Sequence, residues 1–254
     1  MAPMLTLAPY LDAITNAPSI EALWALHTEQ MAGYGFDRLI YGFTRYRSGA
    51  SLGDPQDWIV LTNQPPAYMG PFINDGLYYH APMLRWALEN DGACSWRWME
   101  DMARRDAFTP SEQKVVEFNR RMGVTAGYTI SFRAVSARTK GAIALTARVG
   151  MTQDAVEQVW AQHGEDILVM NNVLHLKLMT LPYSGARTLT PRQREVLQWV
   201  GDGKTTQDIA LLIGLTPATV EKHLRLAREA LDVETTAQAV LKAAFYNQMF
   251  ILEG

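Results

Sequence analysis

One cysteine, Cys94, stands in 254 residues, so no internal disulfide can form, as suits a reducing compartment. Histidine is almost as scarce. His27, His80, His163, His175 and His223 are scattered, and no Cys or His spacing matches a zinc site. No run of about 18 or more apolar residues occurs, which excludes an ordinary membrane-spanning helix. The start, MAPMLTLAPYLDAI, lacks the basic opening and long apolar stretch of a signal peptide, so a cytoplasmic protein is expected. The glycines at 33, 35, 42 and 49 form no phosphate loop, and there is no internal repeat or low-complexity tract. An enzyme would need a nucleophile with a base, or a metal constellation, and the chain offers little of either. No enzymatic activity and no cofactor are therefore expected.

What is present is ordinary in bulk and specific in detail. Hydrophobic residues make up 48% and charged residues 19%, as in globular proteins, and the length suits two domains. The last quarter carries nearly every boundary of a helical module. Thr190-Pro191-Arg192-Gln193 reads as a cap, a first-turn proline and a capping box, with Gly201 and Gly203 ending that helix. Thr205 or Thr206 caps a second helix, Gly214 supplies the turn, and Thr216-Pro217 opens a third over about 217–231.

In that third helix Val220, Leu224, Ala227 and Leu231 recur at helical spacing and form a buried stripe. Thr219, Glu221, Lys222, His223, Arg225 and Arg228 are left for the other faces. Such a helix suits the major groove of double-stranded DNA. Arg225 matches guanine, Glu221 can accept from cytosine, and Thr206, Thr219, Lys222 and His223 complete the candidate DNA-binding set. The competing reading is a solvated charged face on a plain helical bundle. From Thr188 onward seven basic and eight acidic residues leave a net charge of −1, so a broad attractive field is absent. Joining two weak half-site contacts would compensate, and a homodimer on a two-fold related site is expected.

The first 180 residues read as one mixed domain. A helix starts at Ser19 and ends at Gly33 and Gly35. DRLIYGFTRY and DWIVLTN suit strands, and SEQKVVEFNRRMG a capped helix ending at Gly123. GYTISFRAVS and GAIALTARVG form a hairpin pair, and a long helix runs from about 152 to 179. Residues 181–188, LPYSGART, read as a linker. Between the second strand and the SEQKVV helix lie Tyr68, Phe72, Tyr78, Tyr79, Trp86, Trp96 and Trp98. These either line an apolar pocket, with Gln64, Thr129 and Thr146 as polar orienting groups, or simply fill a core.

The segment LTPRQREVLQWVGDGKTTQDIALLIGLTPATVEKHLRLAREALDV resembles the LuxR-type helix-turn-helix. Glu195 matches the characteristic first-helix glutamate, and TVEKHL the recognition-helix core. The resemblance implies a fourth helix over about 236–247 that often serves dimer contact. The preceding region is similar to the acyl-homoserine-lactone-binding domain of quorum-sensing regulators, which implies an α-β-α sandwich with the ligand between sheet and helices. Pro82, Trp96, Gly127 and Gly141 fall on family positions, while Tyr68 and Phe72 stand where tryptophan and tyrosine are usual. A response regulator also uses this DNA module, but its phospho-acceptor domain needs alternating β and α units that are missing here.

One departure matters for the ligand. Ala81 occupies the position of the family's signature aspartate, whose carboxylate accepts the ligand amide N–H. Alanine cannot accept, and Asp75 is six residues away. An unpaired buried donor costs about 1–3 kcal/mol, roughly ten- to a hundred-fold in affinity.

The expected protein is thus α+β: an N-terminal α-β-α sandwich with an antiparallel sheet (1–180), a linker (181–188) and an all-α helix-turn-helix bundle (189–254). It is expected to be a quorum-sensing-type transcription regulator with altered or no acyl-homoserine-lactone response. Gln64, Tyr68, Phe72, Tyr79, Trp96, Thr129 and Thr146 are the candidate ligand residues. Three occupants stay open: another small apolar signal, with Gln64, Tyr68, Tyr79 or His80 supplying polar contacts; an unusual acyl-homoserine lactone held by a compensated pocket; or the domain's own aromatics. An enzyme domain fused to the helix-turn-helix is the reading from another class.

Overall fold

The structure, a computed structural model, describes residues 4–49, 51–183, 185 and 187–249. The chain divides into two compact units, residues 1–53 with 58–178, and residues 54–57 with 179–254. Phe250 and the residues after it lie outside the described residues.

The first unit opens with α1 (Leu7–Thr15) and α2 (Ile20–Gly33), the latter capped by Ser19, which accepts the Ala22 N–H at 3.2 Å. Strands β1 (Phe36–Thr44) and β2 (Ile59–Thr62) follow. A broken helical stretch then runs through α3 (Pro66–Met69), a π-turn, a 3-10 turn (Leu77–His80) and α4 (Pro82–Glu89). Next come β3 (Gly92–Ser95), α5 (Arg97–Arg104), α6 (Pro110–Arg121), the hairpin β4 (Gly127–Phe132) and β5 (Lys140–Ala147), and the long α7 (Gln153–Leu178). The sheet is antiparallel throughout, in the order β2-β1-β5-β4-β3. The expected helices, strands and hairpin are present. The α6 cap is Thr109, in a capping box with Glu112, so this helix begins at Pro110.

The alternation of the strands sorts side chains by size. Tyr41, Phe43, Ile143, Leu145, Ile130 and Phe132 are buried, and the ring of His175 on α7 lies flat on Phe132 (centroids 4.2 Å apart) and edge-on to Phe43. Register places Ile40 opposite Ala144 and Ala144 opposite Thr129, with Gly42, Ala142 and Ser131 forming the next row. These rows belong to the other face and carry mostly small side chains, so the sheet leaves space there. Against α7 the packing is tight. Gly141 has no room for a side chain, since a Cβ would stand 2.9 Å from His175 Cε1.

A buried polar chain ties α1, α2 and α7 together: the Tyr10 hydroxyl and His27 Nδ1 are 2.6 Å apart, and His27 Nε2 is 3.1 Å from Asn171 Oδ1. All three side chains are buried, and burial lowers the His27 pKa to about 3 despite the Asn171 hydrogen bond. The imidazole is thus held neutral, with a partner on each nitrogen.

The second unit is helical: α8 (Pro191–Gly201), α9 (Thr206–Leu212), α10 (Pro217–Leu231) and α11 (Thr236–Phe245). Thr190 with Gln193, Thr205 with Asp208 and Thr235 with Gln238 form capping boxes, each cap being worth about 1 kcal/mol. Gly214 turns at φ +68° between α9 and α10. Val196, Leu197, Ile209, Val220, Leu224, Ala227, Leu231, Ala239 and Ala243 form the core. The stretch expected as a linker is packed into this unit. Gln248 Nε2 donates to the carbonyls of Tyr183 and Arg187, its Oε1 accepts the Leu189 N–H, and buried Arg187 pairs with Asp232 at 2.8 Å. Three of these contacts, two from Gln248 and one from Asp232, fall on the Pro- and Gly-containing stretch that its composition marked as loose.

Candidate ligand cavity and DNA-binding face

A cavity of about 160 Å³ opens on the small-residue face of the sheet. Its floor is Ile40, Gly42, Ala142, Ala144, Thr129 and Thr146, and its other walls come from α3, the turns after it, α4 and α6. Tyr68, Phe72, Tyr78, Ala81, Met83, Trp96 and Asn119 contribute there. The aromatic-rich segment therefore does two jobs: its Tyr68, Met83 and Trp96 pack with Phe118 and Val124 as a core cluster, and the same three side chains bound an open space.

Tyr68 is wedged between Phe72 and Phe118, with ring centroids 5.2 Å away on each side, and its hydroxyl donates to Asn119 Oδ1 at 2.9 Å. Burial pushes the Tyr68 phenol well above its ordinary range, so it stays protonated and remains a donor. The Trp96 indole N–H donates to Thr129 Oγ1 at 2.9 Å. Lys140 also borders the cavity, but its ammonium is tied to the Asn90 carbonyl at 3.0 Å and to Asp91 at 2.9 Å, which leaves the wall without an unneutralised charge from that residue.

Of the seven expected ligand residues, Tyr68, Phe72, Trp96, Thr129 and Thr146 line the cavity. Gln64 does not, although it is buried and its Nε2 lies 3.4 Å from Thr146 Oγ1. Its Oε1 has no hydrogen-bond partner. Tyr79 is 65% exposed and packs on Tyr78 (centroids 4.1 Å apart), outside the buried Tyr78 ring, which is the one that lines the cavity. Asn119 escaped the sequence reading. It sits on the polar-looking SEQKVVEFNRR helix, and only the hydrogen bond from Tyr68 reveals its role.

Two groups of a kind that carries chemistry elsewhere are structural here. Burial, aided by the Glu157 charge, pushes the Cys94 thiol up to about 11, which makes it inert at neutral pH. Burial opposes ionisation of Glu157, but hydrogen bonds from Ser95, Tyr128 and Gln153 and the nearby Arg97 charge outweigh it and hold its carboxyl below the usual range. That carboxylate anchors edge strand β3 to α7. Among the described residues no group of three or more His, Cys, Asp or Glu is placed to hold a metal, and no helix is long and apolar enough to cross a membrane.

On α10 the stripe Val220, Leu224, Ala227 and Leu231 is buried, as its spacing requires. Glu221, Lys222 and Arg225 are exposed, while Thr219 and His223 are half-buried. The Thr206 hydroxyl, at the start of α9, donates to Glu221 Oε1 at 2.7 Å. Arg225 pairs with Glu229 at 2.5 Å, and Thr219 Oγ1 lies 2.9 Å from Thr216 Oγ1. Arg228 instead donates to Thr236 at 3.0 Å, back toward α11. The six expected DNA-contacting residues thus lie on α10 and the α9 start, each exposed or half-buried.

A helix-turn-helix with a polar recognition face, carried in one chain with a cavity-bearing sandwich, defines a transcription regulator that joins a sensor unit to a DNA-binding unit. The chain belongs to the LuxR-type regulators: the autoinducer binding domain family matches residues 19–178, and the luxR family of bacterial regulatory proteins matches 187–243. It is 25% identical over 242 residues to the transcriptional activator protein AnoR of Acinetobacter nosocomialis, covering 92% of this chain and 94% of AnoR. In fold it is similar to the N-acylhomoserine lactone dependent LuxR family transcription factor CepR2 of Burkholderia cenocepacia (TM-score 0.52, 18% identity, 68% of this chain and 93% of that one). SdiA in complex with octanoyl-rac-glycerol is also similar (TM-score 0.51, 17% identity, 94% and 93%). The protein is a DNA-binding quorum-sensing-type transcriptional regulator, and its N-terminal unit is the α-β-α sandwich of an autoinducer-binding domain.

Proposed function

We propose that this regulator is a cytoplasmic homodimer, without enzymatic activity, that binds a two-fold related DNA site and answers simple acyl-homoserine lactones weakly or not at all. The observation that carries the ligand reading is Ala81. It lines the cavity, and its methyl group offers no acceptor to an amide N–H. A lactone entering there leaves that donor unpaired, at a cost of roughly ten- to a hundred-fold in affinity. The occupant is then another small apolar molecule, and the SdiA complex with octanoyl-rac-glycerol is a precedent in this fold for a ligand other than a lactone. Tyr68, Phe72, Trp96, Thr129 and Thr146 would contact the ligand directly, with Gln64 acting through Thr146.

Dimerisation is supported by the charge balance of the DNA-binding unit and by Leu241 of α11, an apolar side chain left 55% exposed. Two recognition helices set about 34 Å apart would place Thr206, Thr219, Glu221, Lys222, His223 and Arg225 at successive turns of one DNA face. A compensated lactone receptor is the second reading, favoured by the unpartnered Gln64 Oε1. Native mass spectrometry on protein from a host that makes no lactone, with and without a lactone series, separates the two. A soluble empty dimer that gains no mass supports the first reading, and a lactone-dependent mass or solubility the second.

A further inference from the structure

One end of the sandwich gathers arginines from the β1 end and the β4–β5 turn. Phe43, Gly141 and Phe132 stand in one row across β1, β5 and β4, and Thr44 pairs with Lys140 just beyond. Arg45 follows β1 and Arg133 follows β4, so they leave the sheet on either side of β5, about 10 Å or two strand spacings apart. Main chain brings Arg47 and Arg138 together: the Arg47 N–H donates to the Arg138 carbonyl at 2.9 Å. Both segments are fixed from within, since Thr44 Oγ1 accepts the Tyr46 N–H at 3.0 Å and Ser136 Oγ accepts the Arg138 N–H at 3.1 Å. Arg133 and Arg138 are exposed and have no carboxylate partner among the described residues, while Arg45 and Arg47 are half-buried. Asp91, one residue ahead of β3, brings a carboxylate to this end and spends it on Lys140 at 2.9 Å.

The chain leaves the sandwich from this same end. His175, in the last turn of α7, lies flat on Phe132, and a Cβ at Gly141 would stand 2.9 Å from it. Residues 188–254 carry a net −1, so they bring no broad attraction for DNA of their own. Duplex DNA carries one charge per about 1.7 Å of axis, and a basic rim about 10 Å across therefore meets several phosphates at once. We propose that this arginine end, Arg47, Arg133 and Arg138 foremost, holds the phosphate backbone of DNA flanking the site read by α10. The contact is independent of sequence: guanidinium groups on a fixed frame pair with phosphate oxygens and release counterions, adding affinity without discrimination. The proposal rests on the reading of α10 as the DNA-contacting helix and is independent of what fills the cavity.

The test uses the full chain and a duplex that it selects from random sequences. Affinity is measured by fluorescence anisotropy over a salt series, for the selected site alone and for the site with about one helical turn of arbitrary sequence added at each end. The extended duplex should bind about tenfold tighter or better, and log K should fall more steeply with log salt, by about 0.9 for each phosphate held. The combined variant Arg47→Gln, Arg133→Gln, Arg138→Gln should lose both differences while binding the short duplex as the parent does. Lysine at the same three positions should keep the steeper slope, which separates charge from damage to the fold. Equal affinity and equal slope on the two duplexes overturn the proposal and leave the α10 reading standing, as does a glutamine variant that still gains from the flanks. Loss of short-duplex binding by that variant also overturns it, since the arginines would then serve the fold or the specific site. Unchanged DNA binding with lost regulation of a reporter overturns it in favour of an acidic protein partner. The α10 reading fails separately, if Arg225→Ala binds the short duplex as the parent does.

Discussion

Thr206, the first residue of α9, donates its hydroxyl proton to the carboxylate of Glu221 on α10 at 2.7 Å, so one helix of the motif fixes the rotamer of a side chain on the next. A carboxylate held this way keeps one oxygen uncommitted to Thr206, an acceptor for a base donor and a charge that repels phosphate. Thr206→Val should leave folding intact and reduce discrimination among operator variants, by about 1–3 kcal/mol at the base pair facing Glu221. Binding to random-sequence DNA should change little. Competition gel shifts with specific and random duplexes check this, and a uniform loss across all duplexes would assign Thr206 to phosphate contact instead.

Arg225 is exposed and pairs within its own helix, with Glu229. Arg225→Ala should weaken specific binding by about tenfold or more with no change in thermal unfolding, since exposed i,i+4 pairs contribute little to stability. An affinity equal to that of the parent protein would exclude Arg225 from base readout.

Ala81→Asp places an acceptor on the cavity wall. In a reporter strain supplied with acyl-homoserine lactones the response should rise, with half-maximal concentration falling roughly ten- to a hundred-fold. No response from a variant that remains folded would point to a cavity reshaped for other molecules at more positions than this one.

His27 sets a pH dependence on the first unit. Its folded pKa, lowered to about 3 by burial, lies below the ordinary value of 6.5, so folding favours the neutral ring. The stabilisation is complete above about pH 6.5 and is lost as pH falls toward the folded value, at up to about 1.4 kcal/mol per pH unit. Urea midpoints measured from pH 7 to 4.5 should fall more steeply for the parent protein than for His27→Gln. Parallel profiles would mean that the ring is not held neutral by the fold.

Two glycines of the sheet should respond oppositely. A Cβ at Gly127 would stand 2.2 Å from the Leu145 carbonyl oxygen, a backbone atom that cannot swing aside, so Gly127→Ala should cost about 2 kcal/mol or more. A Cβ at Gly42 meets nothing within 4 Å, and Gly42 lines the cavity. Gly42→Ala should therefore keep or slightly raise stability while excluding the bulkiest ligands. Chemical denaturation and a ligand series of graded chain width read the two effects separately.

Much of this was legible in the chain. The helix-turn-helix could be placed almost residue by residue because each helix start carries its own cap and the turn its own glycine; Thr190, Thr205 and Thr216 all cap as their spacing requires. The long periodic segments of the first unit, α2, α7 and the β4–β5 hairpin, were also visible. Short elements were not. Strand β3 is four residues of GACS with no branched side chain, and its pairing with β4 comes from tertiary contact rather than propensity. Helices α1, α4 and α5 gave no distinct signal to the sequence reading. At the cavity the wall was readable as an aromatic concentration, but its polar logic was not, because the Tyr68–Asn119 bond joins residues 51 positions apart.

The alternation of β1 and β5 separates two kinds of evolutionary freedom. Positions facing α7 hold the fold and tolerate little. Gly42, Ala142 and Ala144, on the opposite side of the same strands, set the volume offered to a signal. Gly42 can take a methyl group without meeting any atom within 4 Å, and all three face the cavity rather than α7. A lineage of such regulators can therefore drift from one signal to another by single steps of a methyl group, while its stability and its operator stay where they are.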